Sequence, residues 1–300
     1  MSSLNPQNPA AEPASGAAYG LDRRRFLAYL AGGSTLAVAA AAGLGTLRGP
    51  ATAGAAIPGA SGSPAPSGSP SPTGSAPAST KYEVIVTMSQ DTVAQLSKNG
   101  FYLYGFKAVQ GGSDGVPLVW FQTKKYLAKT TIDWTEDYQA YIAEADDIPN
   151  GHIDAETSLS IDLDQTMTVA EGGICSVADG GTAGAITVYN TSDTEYATGI
   201  SLVNNGVASP ICAFPLFGGG TEDVIAPIEK VLLMFSTTPV NTGTVVEQAY
   251  SSGILIDLTG ATSRTVSFDI NGGWSWGGQT WATAVAPQEK LVPLLIDSSS

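Results

Sequence analysis

The residues best spaced for chemistry lie near the C-terminal end, where Asn271 to Trp281 read NGGWSWGGQTW. Trp274 and Trp276 are two apart, so on an extended chain both rings point to one side. Gly272, Gly273, Gly277 and Gly278 leave their faces uncrowded. With Trp281 they would make an apolar platform of the kind that stacks on sugar faces or rests at a lipid interface. The opposing expectation is that the rings fill a sheet core while the glycines shape a bulge or hairpin.

Other chemistry is sparsely provided. His152, in NGHIDAE, is the sole histidine, so any Ser-His-Asp or Cys-His mechanism must run through it. It lies between turn residues, and a solvated turn residue is its expected role. Asp146, Asp147, Asp154, Glu156, Asp162 and Asp164 cluster in the chain. A glycosidase needs two carboxyls about 5 Å or roughly 7–9 Å apart across a cleft, which chain spacing does not establish. A solvated acidic face is the expectation for this cluster. Asp146 to Thr157 departs from the calcium-loop pattern at Ile148 and Thr157. The Gly218-Gly219-Gly220 run precedes no Lys-Ser pair and suits a loop. One His and two Cys exclude a zinc site of the usual Cys/His kind. No catalytic residue, metal or cofactor is therefore assigned.

Charge narrows the partners. Lys and Arg total 13 against 27 Asp and Glu, a formal net charge of −14, which disfavours nucleic acid and anionic lipid. A carbohydrate or cell-surface ligand fits better. Cys175 and Cys212 are expected to form a disulfide if the chain is exported. On the chain-entropy argument that bond would contribute about 3.5–4 kcal/mol. Two buried free thiols are the alternative.

Export is suggested by the N-terminal region. Asp22 to Leu27 read DRRRFL, and the 22 residues from Phe26 to Leu47 carry no charge before Arg48, Pro50 and the small run Ala51, Thr52, Ala53. This resembles a twin-arginine export signal, with Arg23 and Arg24 as the pair and Phe26 and Leu27 as the apolar positions after it. It departs from the usual pattern at Asp22 and Ala28. The resemblance implies handling by the twin-arginine export machinery and a secreted, extracellular destination. Cleavage is expected after Ala53, defining residues 1–53 as the signal. The competing expectation is an N-terminal membrane anchor, against which Gly32, Gly33, Gly43 and Gly45 lower the hydrophobicity. Residues 54–80 are almost wholly Ala, Gly, Pro, Ser and Thr and read as a spacer reaching roughly 25–30 Å.

The elements that must position these residues follow from Lys81 onward. Tyr82, Val84, Val86 and Met88 alternate on one face, a strand pattern, and Ser89 to Lys98 starts on an N-cap candidate and reads as a short helix. Strand-like runs follow at Phe101–Val109, Pro117–Thr123, Ile132–Ile142, Ser158–Leu163, Thr166–Ala170, Ala185–Asn190 and Gly199–Val203. Later runs are Val231–Thr237, Thr244–Tyr250, Ile254–Leu258 and Thr265–Ile270. Short strands separated by turn residues predict an all-β fold of sandwich type. Trp134, Tyr138 and Ile142, and likewise Val224 to Phe235, fit a helical face as well as a strand face. Strand is preferred for both because their neighbours are strands.

An internal comparison sharpens the organisation. Gly105–Phe121 aligns with Gly199–Phe214, pairing Val109 with Val203, Pro117 with Pro210 and Phe121 with Phe214. Ile132 pairs with Ile225, Glu136 with Glu229, and Ile161-Asp162-Leu163 with Ile256-Asp257-Leu258, at offsets of 93 to 95. Two tandem, duplicated β-sandwich halves are predicted, 81–179 and 180–300, with a single larger sandwich as the alternative. The functional expectation is an exported binding or assembly protein that makes contact through the Trp-rich segment. A secreted hydrolase with a carboxylate pair and a membrane-active β protein are the two rivals.

Overall fold

The structure, a computed structural model, describes residues 80–112, 114–204 and 206–298. The signal region 1–53 with Arg23, Arg24, Phe26 and Leu27, and spacer residues 54–79, lie outside the described residues.

Strand β1 (Lys81–Thr87) buries Val84 and Val86, as its alternation predicts. Helix α1 (Gln90–Lys98) begins where Ser89 Oγ accepts a hydrogen bond from the Thr92 amide, which satisfies one of the helix's free donors. Strand β2 (Tyr102–Gln110) is buried on both faces from Leu103 to Val109. The chain continues through β3 (Val116–Pro117), β4 (Phe121–Thr123), β5 (Lys129–Thr135) and β6 (Tyr138–Glu144). After the single turn α2 (Asp147–Asn150) come β7 (Thr157–Ile161), β8 (Gln165–Ala170) and β9 (Ile174–Asp179). Then follow β10 (Ile186–Asn190), β11 (Tyr196–Asn204), β12 (Val207–Pro210), β13 (Cys212–Leu216) and the long β14 (Thr221–Ser236). The chain closes with β15 (Gly253–Asp257), β16 (Ser263–Asp269), β17 (Gly273–Ser275), β18 (Ala282–Val285), α3 (Val292–Leu295) and β19 (Ile296–Asp297).

The fold is all-β. Both ambiguous segments are strands. Ile132–Ile142 splits into β5 and β6 at Glu136-Asp137, and Val231–Ser236 belongs to β14, whose register shifts between Pro227 and Val231. Proline lacks the N–H that a ladder needs, so it sits naturally at such a bulge. Thr244–Tyr250 differs from expectation, since its backbone makes only isolated bridges, to Leu118, His152 and Lys290.

Three sheets are formed among the described residues. One is ordered β17-β16-β1-β5. The second runs β18-β15-β14-β10-β8-β9, with β2 branching from β14 and β4 and β19 pairing with β2. The third runs β3-β13-β11-β6-β7, with β12 on β11. Each sheet draws strands from both 81–179 and 180–300, so the two stretches are interleaved in pairing and do not stand as separate sandwiches. Parallel β1–β16 and parallel β10–β8 each join one stretch to the other, as do antiparallel β2–β14 and β11–β6.

The registers nevertheless repeat. Gly105 faces Phe121 in β2–β4, and Thr198 faces Phe214 in β11–β13, both partners 93 positions on. Tyr138 faces Ile161 and Val231 faces Ile256, at offsets of 93 and 95. Val169 faces Cys175 and Phe268 faces Trp274, both at 99. Val84 faces Ile132 and Ile186 faces Ile225, at 102 and 93. The drop from 102 to 93 is the length of α1, nine residues, which stands between β1 and β2 and has no helical counterpart between β10 and β11. Gly105 is obligatory at its crossing, because a Cβ there would lie 2.0 Å from Phe121 Cε1.

Candidate functional site

The Trp-rich segment forms a hairpin at an edge of the four-stranded sheet, where β17 is the last strand. Asp269 fixes the turn. Its Oδ1 accepts from the amides of Asn271 and Gly272 at 2.9 and 2.8 Å, and its Oδ2 accepts from Thr92 Oγ1 at 3.0 Å. Those backbone donors, with Thr92, hold the Asp269 carboxyl below its ordinary range. Gly273 leaves the turn at φ 76°, a conformation that favours glycine, and delivers Trp274 to the ladder opposite Phe268.

The three rings are neither buried nor fully exposed. Trp274 stacks on Phe235 with centroids 5.6 Å apart, tilts against Phe268 at 4.9 Å, and donates Nε1–H to the Ser252 carbonyl at 3.2 Å. Trp276 donates Nε1–H to the Gln279 carbonyl at 2.9 Å, inside its own loop. The Arg264 guanidinium lies 5.0 Å from the Trp281 ring centre. All three pack against the main core while keeping part of their surface in water. The arrangement thus combines the two expectations, with core packing strongest at Trp274.

The predicted disulfide is absent. Cys175 and Cys212 are free thiols: Cys175 is half-buried on β9, and Cys212 is buried on β13 in another sheet. The ladders hold the two in different layers, which overrides the favourable chain spacing. Burial raises the Cys175 thiol and pushes the Cys212 thiol up to about 12, so neither is an activated nucleophile.

His152 is half-buried, with Nε2 3.6 Å from Asp154 Oδ1 and Nδ1 3.5 Å from Thr244 Oγ1. The nearby carboxylates serve turns: Asp147 Oδ2 accepts from the Asp154 amide at 3.1 Å, and Asp164 Oδ1 from the Gly184 amide at 2.5 Å. Glu156 and Asp162 are exposed. Among the described residues no group of three His, Cys, Asp or Glu side chains is arranged to hold a metal, and no helix is long and apolar enough to cross a membrane.

Two features escaped the sequence reading as sites. A surface cleft of about 290 Å³ is lined by Trp120, Phe121, Thr130, Asp133, Val207 and Ser209. Deeper, fully buried Lys107 places Nζ 2.6 Å from the Ile228 carbonyl and 3.3 Å from Glu229 Oε2, and 5.5 Å from the Trp134 ring centre. The Glu136 carboxyl lies beside that of Glu229. Burial first, then the charge of Glu229, raises Glu136. Tyr82 stacks on Trp134 at 5.6 Å. Burial, then the charges of Glu136 and Glu229, raises the Tyr138 hydroxyl. A signal for the carboxyl pair was present in the sequence, since Glu136 and Glu229 are matched positions of the internal comparison.

No protein-family model matches the chain, and no curated protein or solved structure matches it either.

Proposed function

We propose that this chain is an exported, extracellular binding or assembly protein, built from a duplicated β unit of sandwich type whose halves exchange strands. Its contact surface is the β16–β17 edge with Trp274, Trp276 and Trp281. The repeated registers support the duplication, because matched ladders recur with the halves exchanged: β1–β16 answers β8–β10, and β2–β14 answers β6–β11 at a register two residues removed.

One observation carries the functional reading. In the duplication, Trp274 stands where Cys175 stands, each on the last strand of its sheet. Closing that edge does not itself require tryptophan, yet one edge carries three half-exposed indoles and the other carries none. An amphipathic aromatic edge suits the face of a sugar ring or a cell-surface polymer. The net charge of −14 disfavours nucleic acid as the ligand. The twin-arginine resemblance supports secretion.

A hydrolase reading has less support. Glu136 and Glu229 are two carboxyls that the fold brings near each other. They share the enclosed site of Lys107, which forms a salt bridge with Glu229, and do not face each other across an open cleft as a glycosidase pair does.

The test is co-sedimentation with insoluble polysaccharides, cell walls and neutral liposomes. Retention on polysaccharide or wall, lost in a folded Trp276→Ala/Trp281→Ala variant, is the expected result. Retention on liposomes with dye leakage would favour the membrane-active rival. No retention on any matrix would overturn the reading.

A further inference from the structure

The most unusual chemistry in the molecule is the junction of β2, β14 and the β5–β6 break. Three residues, Ile228 to Lys230, stand opposite the single Ala108, because the β14 register shifts there. That bulge turns the Ile228 carbonyl and the Glu229 carboxyl toward Lys107, whose side chain is 0% exposed while that of Glu229 is 19% exposed. Trp134, Tyr138 and Tyr82 enclose the group, and the Trp134 Nε1 and the Tyr138 hydroxyl are buried there without hydrogen-bond partners.

We infer that Lys107 and Glu229 become joined by an intramolecular amide bond after folding, with Glu136 as the proton-transfer group. The step starts from the ammonium form of Lys107, the carboxylate form of Glu229 and the acid form of Glu136. Transfer of a proton from Lys107 Nζ to Glu229 gives the amine and acid forms, and burial favours this because it lowers the Lys107 pKa. Nζ then attacks Glu229 Cδ and the C–N bond forms. The Glu136 acid gives its proton to the departing hydroxyl while the amine gives one back to Glu136, the C–O bond breaks, and water leaves. Ammonium plus carboxylate becomes amide plus water; Glu136 ends protonated as it began, and no oxidant or other reactant is needed.

Geometry favours the step. The N–H to the Ile228 carbonyl orients Nζ, and the Glu136 acid beside it polarises the Glu229 carboxyl. Groups held in contact in this way reach effective concentrations of ~10⁵ M or more. Reaction also removes two opposite charges from an interior that solvates them poorly. The bond would lie between the two duplicated halves, tying the strand exchange covalently.

The experiment is peptide mass spectrometry on the purified, folded full chain, denatured and cut by a protease that cleaves after lysine. The peptides bearing Lys107 and Glu229 are expected as one branched species, lighter than their sum by one water, with cleavage after Lys107 blocked. Lys107→Arg abolishes the species, and Glu136→Gln abolishes it or slows its appearance at least tenfold during refolding. If Glu136→Gln does not fold, Glu136→Asp serves as the slowed variant. Two separate peptides of unmodified mass from the folded wild-type chain overturn the inference. Cross-linking at the wild-type rate in a folded Glu136 variant overturns the assigned role of Glu136.

Discussion

The β8–β9 edge and the β16–β17 edge present the same ladder with different cargo. Val169 faces Cys175 on one, and Phe268 faces Trp274 on the other. On the first edge a small thiol is half-buried beside Ile174, which is 70% exposed. On the second, Trp274 joins Phe235 and Phe268 in an aromatic stack, and Trp276 and Trp281 flank it. The backbone therefore accepts either a modest or a bulky aromatic edge. The difference marks what has been added to the fold rather than what the fold requires.

This comparison can be sharpened by mutation, beginning with the largest effect. Trp274→Ala should cost about 2–4 kcal/mol, less than full burial would imply, because the ring is only half-buried. Denaturant unfolding reads this, and a cost below 1 kcal/mol would mean that the ring is not part of the core.

Asp223 sets the next scale. Its Oδ2 is buried without a partner, and burial pushes its pKa up to about 6. A raised carboxyl pKa means that the folded state holds the proton more tightly than the unfolded state. The associated stability is present below the ordinary value near 3.8 and is lost as pH rises through about 6. Asp223→Asn should therefore stabilise at pH 8 by about 1–2 kcal/mol, discounted for partial solvent access, and change little at pH 4. Thermal melts at the two pH values check this. A stabilisation that is the same at both would contradict it.

Smallest of all is the thiol edge. Cys175→Ala should change stability by about 0.5 kcal/mol or less. Thiol titration should find both cysteines reactive in denaturant without reductant, with Cys212 silent in the folded state. A single disulfide and no free thiol would contradict the layer assignment.

Much of the fold was legible along the chain, for physical reasons. Period-two alternation in Tyr82 to Met88 and the Ser89 cap are local signals, and both elements form as read. The match of Ile161 with Ile256 was legible because ladder registers follow fixed offsets. The exchange of strands was not legible, since it depends on which stretch a strand pairs with, and periodicity carries no information about the partner. The cysteines show the same limit. Their spacing permits a bridge, but β9 and β13 place them in separate sheets. Lys107 was hidden for another reason: a lone lysine in an apolar strand gains meaning only when the bulge at Ile228 to Lys230 supplies its carbonyl and carboxyl.

The central claim is that the aromatic edge is the working surface, and it is tested most directly by comparing the two edges in one binding assay. Wild type, Cys175→Ala and Trp276→Ala/Trp281→Ala chains, each checked for folding, are sedimented with polysaccharide and cell-wall particles. The account predicts that wild type and Cys175→Ala are retained alike, while the double tryptophan variant loses at least tenfold in retention. Equal retention of all three, or retention of none, would contradict it.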